Sequence, residues 1–377
     1  MSFLSLPPEL ICLIASLLPR DEDRLSLIRD DIQHLLSRNA DANTKFESFD
    51  IKYMDIAFDS ETLLLIAMEA GPTEIVELLL QHGANPNDGK FMPPLGRAAS
   101  RGDNHHTKLL IQSGADVNQM GMGKITPLAS AVINRIMERS PIQPSQHKQE
   151  GLKSETEFVA VIQLLLDSGA DPNHQIYRFM PLLYYMVYLS PSFNVTVIKM
   201  LLEHGADVNS KTSDGDTPLH ALMHSCTKLP DTSVIQLFLQ HGANVNAQNH
   251  RGWTPLHSAA FYDAVDSKSL AKACAGIKLL LIHGADLQLR DCYLSIPFHN
   301  LQKKYSLHDM MERYDVIKLL LEAGPQFCKD CGANIISDFL DWEAKGQKWF
   351  RKRVIQAIEL LIKHGAQADE RAAKFYT

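Results

Sequence analysis

An all-α solenoid of short helix pairs is the fold that this sequence predicts, and three observations predict it. First, a leucine-rich stretch runs into a glycine eight times, at Gly83, Gly114, Gly169, Gly205, Gly242, Gly284, Gly324 and Gly365, with alanine next in every case but the seventh. Second, those glycines recur at spacings of 31, 55, 36, 37, 42, 40 and 41 residues. A supersecondary unit repeated at such a period cannot bury its apolar face alone and must stack on its neighbours. Third, the helix pairs open on a proline-led start, clearest in Thr254-Pro255-Leu256-His257-Ser258-Ala259-Ala260 and in Thr217-Pro218-Leu219-His220.

Along the chain, the earliest ending is a ninth and weaker one. Leu35-Leu36-Ser37-Arg38-Asn39-Ala40-Asp41-Ala42-Asn43 puts asparagine where the others have glycine. The residue past a helix end adopts a left-handed conformation that suits glycine best and asparagine next, and another side chain there costs about 1 kcal/mol. Within Thr62 to Asn87, Leu63-Leu64-Leu65-Ile66-Ala67 is expected to form a first helix and Glu74 to Leu80 a second. Threonine before proline caps such a helix, and the proline takes the first turn, where a missing N–H costs nothing. The following leucine and paired alanines fill a thin interface between units.

The long gap between Gly114 and Gly169 holds the largest insertion, Glu138 to Glu157, with Pro141, Pro144, several glutamines and no apolar period, which reads as an exposed loop over about 138–157. Smaller insertions are expected at Cys226 to Asp231, Asp263 to Ala273, Lys303 to Glu312 and Lys345 to Lys352, each between a first and a second helix. Two roles are open to them: drift tolerated at an edge the core does not need, or a second contact ridge. The last two units are the most degenerate. Ile296-Pro297-Phe298-His299 keeps half of the opening motif and Asn334-Ile335-Ile336-Ser337 almost none, while Lys345, Lys348, Arg351, Lys352 and Arg353 suit a C-terminal cap. The solenoid is expected over 39–369, with a tail at 370–377.

This pattern resembles the ankyrin repeat, D-x-x-G-x-T-P-L-H-x-A-A followed by a second helix and L-L-x-x-G-A-D-x-N. Asn249 to Ala260 is the best copy and Asp214 to Leu222 the next. The resemblance covers nearly everything from about residue 40 to 369, and it implies eight or nine helix-turn-helix units with β-turn fingers. It also implies a non-enzymatic scaffold that binds a protein partner on its concave face. In that family the residues just before T-P-L-H stand at the finger tips and are free to vary. Carried over by alignment, they are Tyr177, Phe179, Ser213, Asp214, Asp216, His250, Arg251, Trp253 and Tyr293. Aromatic residues and arginine most often carry interface energy, which singles out Trp253 as an anchor; the alternative is that it folds back onto the adjacent finger.

Residues 1–38 carry a different pattern. Leu10, Leu13, Ile14, Leu17 and Leu18 make one apolar stripe at helical spacing, entered through Pro7 and Pro8. From Leu6 to Pro19 the chain resembles the opening of an F-box, L-P-x-E-[IL]-x-x-x-I-x-x-x-L, which begins a three-helix module that docks on the Skp-type adaptor of a cullin ubiquitin ligase. The resemblance implies adaptor binding through Leu6, Pro7, Glu9, Leu10, Ile14 and Leu17, and a fungal-type arrangement, since fungal proteins often join such an opening to ankyrin repeats. Further on the pattern departs from the family. A third helix would coincide with Asp31 to Arg38, which the ending at Asn39 also claims, and the family's usual tryptophan is missing there. The other reading of the segment is an amphipathic cap over the first repeat.

Composition narrows the function. At 377 residues and 45% hydrophobic content the chain can bury a large interior. A net charge of −7, a pI near 6.1 and no dense cluster of lysine and arginine argue against a nucleic-acid surface. Six cysteines, at positions 12, 226, 274, 292, 328 and 331, form no spaced disulfide framework, so a reducing compartment, cytoplasm or nucleus, is expected. The run Leu10 to Leu18 is too short to span a bilayer and lacks the basic start of a signal peptide, so no membrane partner is expected, and the protein is expected to be a monomer.

Half of the sixteen histidines hold repeat positions: His82, His204, His241, His283 and His364 precede a turn glycine, and His220, His257 and His299 end the T-P-L-H element, where an imidazole is expected to bond the neighbouring turn's backbone. Cys328-Lys329-Asp330-Cys331-Gly332 has the shape of half a zinc knuckle. With only Cys292 and His299 as further candidates, free thiols are expected, with no metal and no cofactor. There is no glycine-rich phosphate loop, no G-x-S-x-G and no H-E-x-x-H, so no enzymatic activity is expected; the remote alternative is an accessory factor with an unrecognised enzymatic site grafted onto the repeats.

Overall fold

The computed structural model describes residues 42–43, 45–46, 61–70, 73–89, 91–138, 154–176, 179–189, 195–224, 232–261, 267–299, 313–324, 336, 340 and 351–366. They fall into two units, Met1–Tyr177 and Arg178–Thr377. In the first, strands β1 (Lys45–Phe46) and β2 (Glu61–Thr62) pair antiparallel, with Lys45 opposite Thr62. Six helices follow: α1 (Leu63–Ala70), α2 (Thr73–Gln81), α3 (Pro94–Ser100), α4 (Asn104–Gln112), α5 (Pro127–Glu138) and α6 (Glu155–Asp167). The second unit holds α7 (Leu182–Leu189), α8 (Val195–Glu203), α9 (Pro218–His224), α10 (Thr232–Gln240), α11 (Pro255–Ala260), α12 (Ser267–Ile282), α13 (Tyr314–Glu322) and α14 (Arg351–Lys363).

Each unit stacks like on like. First helices pack on first helices, α3 on α5 in one unit and α7 on α9 and α9 on α11 in the other. Second helices do the same, as with α4 on α6, α10 on α12 and α13 on α14. The first helices can be this short because small residues let their backbones approach: Ala98 and Ala99 of α3, like Ala259 and Ala260 of α11, are buried. Second helices bury one stripe, Ile75, Val76, Leu78 and Leu79 in α2. The residue four before each repeating glycine is fully buried in all eight cases: Leu79, Leu110, Leu165, Leu201, Phe238, Leu280, Leu320 and Leu361.

In seven of the eight that buried residue also supplies the carbonyl that closes its helix; at Leu320 the residue after the glycine is Pro325, which has no N–H. Ala206 N donates to Leu201 O at 2.9 Å and Gly205 N to Leu202 O at 3.1 Å, and Ala243 N and Gly242 N repeat the pair on Phe238 O and Leu239 O. These are the two bonds of a Schellman end, which needs its middle residue left-handed, and Gly205 and Gly242 have φ of 85° and 82°. The histidine before the glycine joins in: His204 Nδ1 lies 2.8 Å from Met200 O, and His283 Nδ1 2.8 Å from Leu279 O.

The asparagine that closes a D-x-N or N-x-N after several of these helix ends ties one repeat to the next. Asn209 Nδ2 donates to Gly242 O at 3.0 Å while its Oδ1 accepts from Asn244 N at 2.7 Å. Asn43, Asn87, Asn118 and Asn246 make the same two bonds to the glycine carbonyl and the following N–H of the next repeat. The acid or amide two residues earlier shapes the turn, as Asp207 Oδ1 accepts from Asn209 N at 2.8 Å.

Two insertions differ from their sequence reading. The loop expected over about 138–157 is shorter, because α5 includes Glu138 and α6 starts at Glu155. Ser154 and Glu157 form a capping box there: Ser154 Oγ accepts from Glu157 N, and Ser154 N donates to Glu157 Oε2 at 2.7 Å. Arg135 Nε donates to Glu155 Oε2 at 3.1 Å and its guanidinium sits 5.1 Å from the centre of the Phe158 ring, so the two helices meet directly. The insertion expected over Asp263 to Ala273 is helix from Ser267 onward, and it lengthens α12 at its N-terminal end. No helix among the described residues is long and apolar enough to cross a membrane.

Candidate functional site

The fingers before α9 and α11, and the one that follows α12, are tight hairpins built by one rule. The second and third open on a residue whose side chain organises the turn: Asn249 Oδ1 accepts from Arg251 N and Trp253 N, each at 2.9 Å, and Asp291 Oδ1 from Tyr293 N and Ser295 N at 2.9 and 2.8 Å. Thr212 Oγ1 takes the same place in the first finger, accepting from Asp214 N and Asp216 N. The backbone closes each hairpin, with Asn249 N donating to Trp253 O at 3.0 Å. Neighbouring fingers then join edge to edge through His250 N to Asp214 O at 2.9 Å and Cys292 N to Arg251 O at 2.8 Å.

That close approach is why the fingers carry glycine. Gly252 has φ 74°, and a Cβ there would lie 2.9 Å from Asp291 Cα; at Gly215 (φ 80°) it would lie 3.0 Å from His250 N. Leu294 takes the equivalent place in the next finger with φ 59°, and Lys124 of the first unit does the same with φ 59°.

Under each finger lies the histidine of T-P-L-H. His220 Nδ1 accepts from Thr217 N at 3.1 Å, which puts the ring proton on Nε2, and Nε2 donates to Trp253 O at 2.9 Å. His257 repeats this between Thr254 N and Ser295 O. With Thr254 Oγ1 accepting from His257 N, the histidine completes a capping box in the place usually held by glutamate or glutamine. Burial of His220 lowers its pKa below the usual histidine value, against the opposing pull of the bond to Trp253.

These elements of the second unit enclose a concavity of about 300 Å³. Tyr184 and Tyr188, one turn apart on α7, form one wall with their rings stacked at 5.7 Å. Asp214 and Asp216 come from one finger and Asn249, Arg251 and Trp253 from the next, while His220 and His224 of α9 and Ser258 of α11 make the floor. Asp216 Oδ1 accepts from Asn249 Nδ2 at 2.7 Å, which pins one carboxylate to the neighbouring finger. Burial raises the pKa of the Tyr184 hydroxyl, and the negative charges of Asp216 and Asp214 raise it further. Tyr184 is 8% exposed and Ser258 3%, and neither hydroxyl bonds another described residue.

Of the residues expected at the finger tips, Asp214, Asp216, Arg251 and Trp253 meet in this cavity. Ser213 and His250 are exposed and do not line it, and Phe179 and Tyr293 stand out in solvent at 70% and 75% exposure. Trp253 is half-buried and lines the cavity. Its place directly before the capping Thr254 lays the indole over the end of α11, 5.0 Å from the ring of Phe261, which in turn stacks on His224. Tyr184 and Tyr188 were missed by sequence reasoning, and their signal was two tyrosines four apart on a first helix. Tyr177 lies outside the described residues, as do Leu6, Pro7, Glu9, Leu10, Ile14 and Leu17 and the pair Cys328 and Cys331. Among the described residues no group of three or more histidine, cysteine, aspartate or glutamate side chains is placed to hold a metal ion.

Comparison with known proteins places this architecture. The family model for ankyrin repeats, in three copies, matches residues 28–121 and 183–291. The chain is similar to human Ankyrin repeat and SOCS box protein 6, 29% identical over 288 residues, and to its Pongo abelii counterpart, 28% identical. Those alignments take in 74% of this chain and 55% of each relative, so the chain spans about half the length of the curated relatives it matches. Among solved structures, an ankyrin repeat domain from Acinetobacter baumannii is 21% identical, with a TM-score of 0.47 over 61% of this chain and 97% of that one.

Proposed function

Because the chain belongs to the ankyrin-repeat family, we propose that it is a non-enzymatic scaffold that binds a protein partner in the concavity beneath the fingers of its second unit. The observation that carries this reading is the convergence of Trp253, Tyr188 and Arg251 on one cavity from elements otherwise committed to structure. Aromatic residues and arginine in a partly enclosed hollow are where interfaces concentrate their energy. Affinity purification from the native source, followed by mass spectrometry, supplies the partner. Trp253→Ala should then weaken binding by about 2 kcal/mol, and Arg251→Ala, at an exposed side chain, should weaken it with no change in unfolding midpoint. Partner binding unchanged in both variants would sink the reading.

A second reading, a substrate-receptor subunit of a cullin ubiquitin ligase, rests on the F-box-like run Leu6 to Pro19. The similar proteins pair ankyrin repeats with a SOCS box by name, so repeats joined to a box have a precedent among them. Against it, the ankyrin match begins at residue 28 and takes in the span where a third F-box helix would fall. If the segment is a working F-box, replacing Leu6 and Pro7 by alanine abolishes co-purification of the Skp-type adaptor. Absence of the adaptor from wild-type preparations would remove this reading.

A further inference from the structure

We infer that the cavity between α7 and the fingers of the second unit receives an arginine side chain of the partner protein. This rests on the concavity being the partner site, and it adds the chemistry of what enters it. The lining is acceptor-rich and negative: the carboxylates of Asp214 and Asp216 face a single cation, Arg251, which makes no ion pair among the described residues. An anionic group would meet two like charges, whereas a cation relieves their repulsion. The raised pKa of Tyr184 reports the same field, since burial and the two carboxylates both favour its neutral form.

The shape of the cavity and its unsatisfied groups choose among cations. Tyr184 and Ser258 line the cavity, both with little exposed surface, and neither hydroxyl bonds another described residue. Hydroxyls on a cavity wall with no bond to the protein suit a ligand that can reach several of them at once. A guanidinium offers five N–H donors in a rigid plane, enough for a carboxylate and both hydroxyls together, and its faces stack on aromatic rings. Tyr188 and Trp253 supply such rings, one from α7 and one from the finger before α11. An ammonium is a compact point charge with three donors, and it uses this wall less well.

The test uses the full chain and a probe of known chemistry, the tripeptide acetyl-Gly-Arg-Gly-amide, followed by the indole N–H resonance of Trp253. The chain has three tryptophans, so Trp253→Phe identifies the signal. Arginine peptide should shift that resonance saturably, the lysine analogue more weakly, and the neutral citrulline analogue not at all. Asp214→Asn should weaken the arginine peptide by up to about fivefold, as expected of a charge pair at an exposed carboxylate, and added salt should weaken it further. A citrulline peptide that binds as well as arginine, an arginine peptide that fails to saturate, or an Asp214→Asn variant that binds normally would each overturn the inference. Those results leave the concavity as partner site standing if Trp253→Ala and Arg251→Ala still release the native partner. If neither variant does, the site itself is wrong.

Discussion

Gly242 and Gly252 have similar backbones, with φ of 82° and 74°, but different surroundings. No heavy atom lies within 4 Å of a Cβ at Gly242, so Gly242→Ala should cost about 1 kcal/mol, the strain of the left-handed conformation alone. Gly252→Ala adds contact at 2.9 Å with the Asp291 backbone of the next finger and should cost about 2 kcal/mol or more. Urea unfolding of both variants checks the order, and equal midpoints would mean that the fingers part easily. His220 gives a pH dependence. Its folded pKa is lowered by burial, so the unfolded chain takes up the proton first. Its contribution to stability is therefore whole above about pH 6.5 and is lost as pH falls from there, at up to about 1.4 kcal/mol per pH unit. The wild type should lose stability between pH 7 and 5.5 more steeply than His220→Gln; parallel curves would show that the imidazole is not held neutral.

At the scale of elements, the asparagine bridges bind one helix pair to the next. Asn209→Ala removes two bonds, yet the groups released at Gly242 and Asn244 are exposed and find water. The expected loss is about 1 kcal/mol, well short of the cost of stranding a buried polar group, and thermal unfolding of the variant measures it. Helix identity was legible because each helix has its own punctuation: proline-led starts at Pro218 and Pro255, glycine ends at Gly205 and Gly242. The extents of the insertions were not. Ser154-Glu155-Thr156-Glu157 carries the capping-box signal in plain view, but its polar composition outweighed it in a reading based on apolar period. Likewise Ala271-Lys272-Ala273 looked like surplus, although such residues are good helix formers, and α12 uses them to extend itself.

At the scale of the molecule, repeats explain why the site was half legible. Finger residues such as Asp214 and Arg251 follow from their offset to T-P-L-H, a local relation that sequence keeps. That Tyr184 and Tyr188 complete the cavity depends on how α7 stacks against α9, a relation between repeats that no single repeat states. The same dependence on neighbours gives the chain a direction in time. Asn43, Asn87, Asn209, His220 and His257 all bond a carbonyl or amide that lies 33 or more residues, or for Asn87 27 or more, further toward the C-terminus. During translation each finished repeat thus waits for atoms not yet polymerised, and water serves in their place until the next repeat leaves the ribosome. Docking therefore advances one unit behind synthesis, and a paused ribosome exposes the bonding groups of one repeat at a time.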